Sequence, residues 1–303
     1  MSLRRPARRT RGPFENRIVI AGLVLPGIAV LVFAMVVPLG FSIYYSLTDW
    51  AGFGDYQNVG LDNYKEILTE DPVFWRSLWN VFLLILVTVF LQNPVAFVLA
   101  SVLSHVSAKM SRFLRTAYFI PAVLSLVIVA KLWVDVFNPT FGILNKLLIA
   151  VGLKSLALSW LSDPRTAIWA VIWIIVWQGF GWALLFYYAA LMTVPREIEE
   201  AARMDGASWF QTYTRVVIPY LKPAISGIVV IDVVYSMKQM ELVYLSTGGG
   251  PGQLTQLLGV HLYQKAFVAG EYGYGNALSV LLVVVSMGLS LVVQRLLRTG
   301  RDR

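Results

Sequence analysis

Residues 200–219 read EAARMDGASWFQTYTRVVIP, a polar stretch set between two strongly apolar ones. Its residue types spell a helix, a tight turn and a second helix. Pro195 suits a first helical turn, because its missing N–H costs a helix start nothing. Glu197, Glu199 and Glu200 follow, where negative charge complements the helix dipole. The first helix is expected to end near Asp205, with Gly206 taking the left-handed conformation just past it. Ser208 then stands as an N-cap, and Gln211 three residues on completes a capping box. The second helix is expected to run to about Val217 and stop before Pro219. Ala201, Ala202 and Ala207 keep the turn region slim enough for a partner's groove. The plainer alternative is a loop helix resting on lipid headgroups, its acidic residues merely solvated.

The flanking sequence fixes the class. The 303 residues are 57% hydrophobic and 14% charged, with a mean hydropathy of +0.67. A soluble domain of this length is less apolar, so an integral membrane protein is expected. A bilayer core needs ~20 apolar residues per helix. Six stretches qualify: roughly Ile18–Tyr45, Leu78–Leu103, Leu114–Phe137, Ala167–Leu191, Ala224–Leu245 and Ala277–Leu297. The expectation is an all-α protein with six spans. A basic tail covers residues 1–17, the six-span domain 18–298 holds the polar loop at about 193–223, and a short end covers 299–303. The start MSLRRPARRTRGPFENR has the look of a signal-peptide n-region, but the apolar run behind it is too long for cleavage, so it is expected to stay as the first span.

Basic residues orient the bundle. Arg4, Arg5, Arg8, Arg9, Arg11 and Arg17 precede the first span. Lys109, Arg112 and Arg115 follow the second, and Arg196, Arg203, Arg215 and Lys222 surround the polar loop. Arg295, Arg298, Arg301 and Arg303 close the chain. The other side holds only Lys65, Arg76, Lys146, Lys154, Arg165 and Lys265. By the positive-inside rule both termini and the polar loop are cytoplasmic. The net charge of +8 is thus a topology signal, and no nucleic-acid partner is expected. On the outer side, Thr48–Ser77 is acidic and aromatic. FGILNKLLIAVGL (141–153) has the spacing of a short surface helix, and Gly248–Pro251 is a turn.

Polar groups inside spans cost ~2.5–3.5 kcal/mol when charged, so they face a cavity or another helix. Asp232, Tyr235, Ser236 and Gln239 stand at i, i+3, i+4 and i+7 and share one helical face. Hydroxyl, amide and carboxylate together suit a polyhydroxylated solute. Gln178 beside Trp177 adds an amide and an aromatic face. The same groups could instead bond neighbouring helices. Lys131 and Asp135 read as an intrahelical ion pair. Lys238 and Glu241 read as a gate pair or a structural one. Pro94 and Pro121 are expected to kink their spans.

Glu200-Ala201-Ala202, then Gly206, then Val216-Val217-Ile218-Pro219 resembles the EAA loop of binding-protein-dependent ABC import permeases, with conservative departures at the aliphatic positions. PREIEEAARMDGA (195–207), MKQMELVYLSTGGGP (237–251), EYGYGNALSV (271–280) and NYKEIL (63–68) resemble the sugar-type members, with Glu241 where Asp is usual. The Gly-Gly-Gly-Pro form resembles that of maltose- and glycerol-3-phosphate-type chains that pair with a second permease. The resemblance implies a bacterial or archaeal cell-membrane permease in which Glu200, Ala201, Ala202, Asp205, Gly206 and Ala207 are gripped by a separate ATPase present in two copies. It also implies a heterodimer with a related permease, a solute-binding protein on the outer face, and a sugar or oligosaccharide as the solute. It matches the substrate contacts of that family to the Asp232 face. A glycerol-3-phosphate or polyol importer is the alternative; a self-sufficient secondary transporter would need inverted repeats, and no convincing pair is seen.

The chain lacks a G-x-x-x-x-G-K-[ST] loop and a G-x-S-x-G elbow, so neither nucleotide hydrolysis nor serine chemistry is expected. It has no cysteine, and only His105 and His261, so neither a metal site nor a cofactor is expected.

Overall fold

The computed structural model describes residues 17–297, and these are mainly helical, with an isolated antiparallel bridge between Thr48 and Asn58. Residues 1–16 and 298–303, whose basic groups were assigned to the cytoplasm, lie outside the described residues. Along the chain run α1 (Ile20–Tyr45), α2 (Asp62–Thr69), α3 (Pro72–His105), α4 (Ala108–Val123), α5 (Leu126–Val136) and α6 (Ile143–Ala150). They are followed by α7 (Ala167–Leu191), α8 (Arg196–Met204), α9 (Trp209–Lys238), α10 (Glu241–Ser246), α11 (Leu258–Tyr263) and α12 (Tyr272–Leu297). Five of these helices are each long and apolar enough to cross a membrane, six if the bent pair α4 and α5 counts as one span.

Several expectations about the spans need correction. The third is not one straight helix: α4 and α5 meet at 95°. Pro121 removes the N–H that would hold its turn to Ala117, and the helix gives out at Leu124, whose backbone is extended. Ser125 restarts the chain as α5. Second, the helix beginning after Ser208 does not stop before Pro219. A π turn over Tyr213–Val217, in which the Ile218 N–H reaches back to Tyr213 O, lets the chain pass the proline, and α9 continues to Lys238. Third, that span does not reach Leu245. Gln239 is extended and ends α9, and α10 starts as a separate helix. The second span also begins earlier than its apolar run, because Asp71 caps it: Oδ1 accepts from Val73 N at 2.8 Å and Phe74 N at 3.1 Å. Near Pro94, α3 carries a π turn at Thr88–Gln92.

Helix α7 is the hub, packing against α3, α4 and α9. Lipid tails are as apolar as leucine, so close packing of small residues has to hold the helices together. Ala96 and Ala100 of α3 and Ala170 and Ala183 of α7 are all buried. At Gly181 a Cβ would lie 2.5 Å from Tyr118 O, so the α4 and α7 backbones touch. Two apolar clusters fill the bundle. One, with Leu103, Tyr187, Leu191, Tyr213 and Val217, lies toward the polar loop. The other, with Ile67, Phe74, Val81, Ile174, Met237 and Leu257, lies toward the opposite end. The surface segment 141–153 is helical as α6, pinned where the buried Asn145 accepts from Trp160 Nε1 at 2.8 Å and donates to Leu158 O at 2.9 Å.

Candidate transport cavity and coupling loop

The polar loop folds from local signals. Pro195 is the N-cap residue of α8, one position before its expected place in the first turn, and Glu197 and Glu199 occupy that turn. At the other end Gly206 N donates to Arg203 O and Ala207 N to Ala202 O, both at 3.0 Å. This pair of bonds is a Schellman motif, and it requires the left-handed φ of +79° found at Gly206. The capping box is complete: Gln211 N donates to Ser208 Oγ at 3.3 Å, and Ser208 N to Gln211 Oε1 at 2.9 Å. No residue of α8 is buried. Glu200, Ala201, Met204, Asp205 and Gly206 are exposed, while Ile198, Glu199, Ala202 and Ala207 are half-buried toward the body. The exposed face carries both signs of charge, with Arg196 and Arg203 beside Glu197, Glu200 and Asp205, and presents the turn.

A cavity of about 310 Å³ lies between α3, α7 and α9. Thr88 and Gln92 line it from α3, Gly179, Trp182 and Phe186 from α7, and Asp232 and Tyr235 from α9. Asp232 Oδ2 accepts from Asn93 Nδ2 at 2.8 Å. Tyr235 Oη donates to Gln178 Oε1 at 3.3 Å and accepts from Gln239 Nε2 at 3.4 Å. Gln178 and Gln239 are themselves buried. The cavity thus offers one carboxylate, amide and hydroxyl groups and an aromatic wall, in which Trp182 and Phe186 stack at 6.1 Å.

The sequence-expected residues divide. Asp232 and Tyr235 line the cavity, with Gln178 and Gln239 bonded behind them. Ser236 is fully buried and outside the lining. Trp177 also lies outside it, edge-on to Trp133 at 5.3 Å. Lys238 ends α9 and Glu241 begins α10; both are exposed, and no ion pair joins them among the described residues. Lys131 and Asp135 do pair, at 2.9 Å. Sequence reasoning missed Thr88, Gln92, Asn93, Trp182 and Phe186. The signal for Gln92 and Asn93 was an uninterpreted polar pair inside an apolar span; Thr88 and the two aromatics gave none.

The opposite end carries a hairpin, α10 and α11, folded into the bundle. Asn80 Nδ2 of α3 donates to Leu254 O at 2.8 Å and Gln256 O at 2.9 Å. Asp71 Oδ2 accepts from His261 Nε2 at 2.6 Å and from Tyr274 Oη at 2.5 Å. Burial alone would raise the Asp71 pKa, but Tyr274, the charge and bond of His261 and the Phe74 N–H together hold it below the usual carboxylate value. Burial pushes the His261 pKa down, against the pull of Asp71.

Residues 92–299 match the family described as binding-protein-dependent transport system inner membrane component. The chain is 33% identical to the multiple sugar-binding transport system permease protein MsmF of Streptococcus mutans, over 90% of this chain and 92% of that one. It is also 33% identical to the xylose/arabinose import permease protein XacH of Haloferax volcanii, over 82% of this chain and 78% of that one. Its fold matches a chain in the crystal structure of a bacterial ABC transporter that imports alginate, with a TM-score of 0.79 at 22% identity over 95% of this chain and 98% of that one. The chain belongs to the binding-protein-dependent inner-membrane components, the permease family of ABC importers, and is the membrane-spanning subunit of such an importer.

Proposed function

We propose that this permease passes a neutral sugar or oligosaccharide, driven by a separate ATPase that docks on α8 and the turn after it. The observation that carries the solute class is the cavity lining: the Gln92 amide, the Thr88 and Tyr235 hydroxyls and an aromatic wall beside a single carboxylate, on an otherwise aliphatic surface with no Lys or Arg among the lining residues. Hydroxyl-rich rings hydrogen-bond such groups and stack on aromatic faces. A phosphate or uronate would meet Asp232 without a compensating cation. The sugar names of the two relatives support a sugar as the solute.

The exposed face of α8 supports the docking role, with Glu200, Ala201, Asp205 and Gly206 toward the ATPase and Ala202 and Ala207 setting the turn against the body. The partners would be a second, related permease, two ATPase copies and an extracytoplasmic solute-binding protein. Both termini and α8 would be cytoplasmic. ATP binding would draw the ATPases together, and α8 would carry that closure to the spans so that the cavity opens outward.

The test is uptake by cells carrying the complete importer, with a panel of labelled neutral mono- and oligosaccharides, uronates and sugar phosphates. A neutral sugar taken up only when the ATPase is present is the expected result. Uptake that survives deletion of the ATPase, or that is confined to anionic solutes, would overturn the reading. Reporter fusions at Arg303 and near Gly206 should both signal cytoplasm.

A further inference from the structure

The coupling helix α8 fully buries no residue; Ile198 and Ala202 reach only half-burial, so apolar packing fixes it weakly to the body. Besides its chain ends, it is held by a polar contact with the last residue of α3. His105 Nδ1 lies 2.8 Å from Ser101 O. A carbonyl only accepts, so Nδ1 carries the proton, and in the neutral ring Nε2 is left as an acceptor. Nε2 faces α8, 3.4 Å from Arg203 Nη2 and 3.6 Å from Glu199 Oε2. Glu199 and Arg203 stand one turn apart and 3.8 Å from each other. The three side chains close a triangle between two helices.

The same helix α3 builds the cavity. Thr88 and Gln92 line it, and Asn93 holds Asp232 at 2.8 Å. From Asn93 to His105 the chain is unbroken α-helix, ~18 Å at 1.5 Å per residue. Ala96, Phe97, Ala100 and Leu103 bury one side of this rod. It is tied at one end to the cavity carboxylate and at the other to the coupling helix. The covalent route from α8 to Asp232 is less regular than α3 between Asn93 and His105. It passes the left-handed turn at Gly206 and the π turn at Tyr213–Val217.

We propose that His105 is a positioning residue that clasps α8 to α3, so that movement of the coupling helix reaches the cavity through α3 as well as through α9. This rests on the reading of α8 as the ATPase-docking helix.

The chain has no cysteine, so Thr88→Cys places a single thiol of this chain in the cavity wall. The assembled importer carrying Thr88→Cys is reconstituted, and the rate of alkylation by N-ethylmaleimide is read on this chain by mass. The nucleotide-free complex is compared with the complex trapped by ATP, magnesium and vanadate. The rate should differ between the two states. Adding His105→Ala should shrink that difference about two- to thirtyfold, the span of typical coupling energies, while the ATPase still copurifies. His105→Gln, whose amide oxygen can accept from Arg203, should restore it. A full difference with His105→Ala, or none in the Thr88→Cys parent, overturns the proposal. Should His105→Ala lose the ATPase on purification, Glu199→Gln decides: it keeps the size and removes the charge, and an undiminished difference overturns the clasp. Failure of the docking reading is told apart by Gly206→Asp. If that variant keeps the ATPase and uptake, docking itself is wrong. If it loses both while His105→Ala changes nothing, only the clasp fails.

Discussion

The α8 loop and the hairpin at the opposite end are both short helix–turn–helix pieces, and they are held by opposite means. The loop is specified within itself: a Schellman turn at Gly206 and a capping box at Ser208 use bonds between residues no more than five apart, and nothing in α8 is buried. The hairpin is specified from outside. Leu242, Val243, Gln256, Leu257, Val260 and His261 are buried. Its polar groups bond Asn80 and Asp71, more than 170 residues away in sequence. An exposed, self-capped helix can be gripped and moved as a unit. A buried hairpin bonded to α3 is fixed relative to the bundle.

The sharpest break of this contrast is Gly206→Asp. A branched, charged side chain at a φ of +79° strains the turn and blocks close docking. Membrane insertion should persist while ATPase association and ATP-driven uptake are lost, as read by copurification and transport. Near-normal uptake would remove α8 from the coupling role.

The hairpin should respond in stability instead. Asp71→Asn removes the charge that accepts from His261 and Tyr274. Hydrogen bonds to charged groups contribute roughly 1.5–3 kcal/mol each. Thermal unfolding of the purified complex in detergent should therefore drop markedly, while the ATPase still binds. An unchanged transition would mean that the cluster carries little.

Acid should act on the same cluster. His261 has a folded pKa lowered from 6.5, so the folded form binds fewer protons than the unfolded one. Its contribution is complete above pH 6.5 and is lost as pH falls from there through the lowered value. Asp71 is lowered from 3.8, so its contribution disappears only below that. Stability should begin to fall below about pH 6.5, and His261→Gln should flatten the first part of the curve. A profile identical in the two proteins would clear His261 of this role.

The smallest expected effect is at Gln239, which sits where the hairpin leaves α9. Gln239→Leu removes the amide bonded to Tyr235 Oη. One neutral hydrogen bond contributes about 0.5–1.5 kcal/mol, roughly two- to tenfold. Solute transported per ATP should fall by that factor with the complex intact. If the complex falls apart on extraction, Gln239 is a helix contact. If nothing changes, it faces neither solute nor partner.

The sequence by itself determined what depends on neighbours along the chain. The apolar run lengths marked the spans, and Ala167–Leu191 was legible to the residue. The loop's caps were legible because glycine, serine and glutamine act on backbone groups within a turn of themselves. The tertiary structure decided what depends on contacts across the chain. It set where a proline is absorbed, as at Pro219, and where a span breaks, as after Pro121, since neighbouring packing settles whether a lost backbone bond becomes a π turn or a 95° bend. It also decided which of the polar residues on the α9 face meet a cavity. Helical periodicity put Asp232, Tyr235, Ser236 and Gln239 on one side, but only the positions of α3 and α7 leave Asp232 and Tyr235 on open space, with Ser236 sealed. Trp182 rather than Trp177 forms the aromatic wall for the same reason: a helix's own pattern fixes which residues share a face, and its neighbours fix what that face meets.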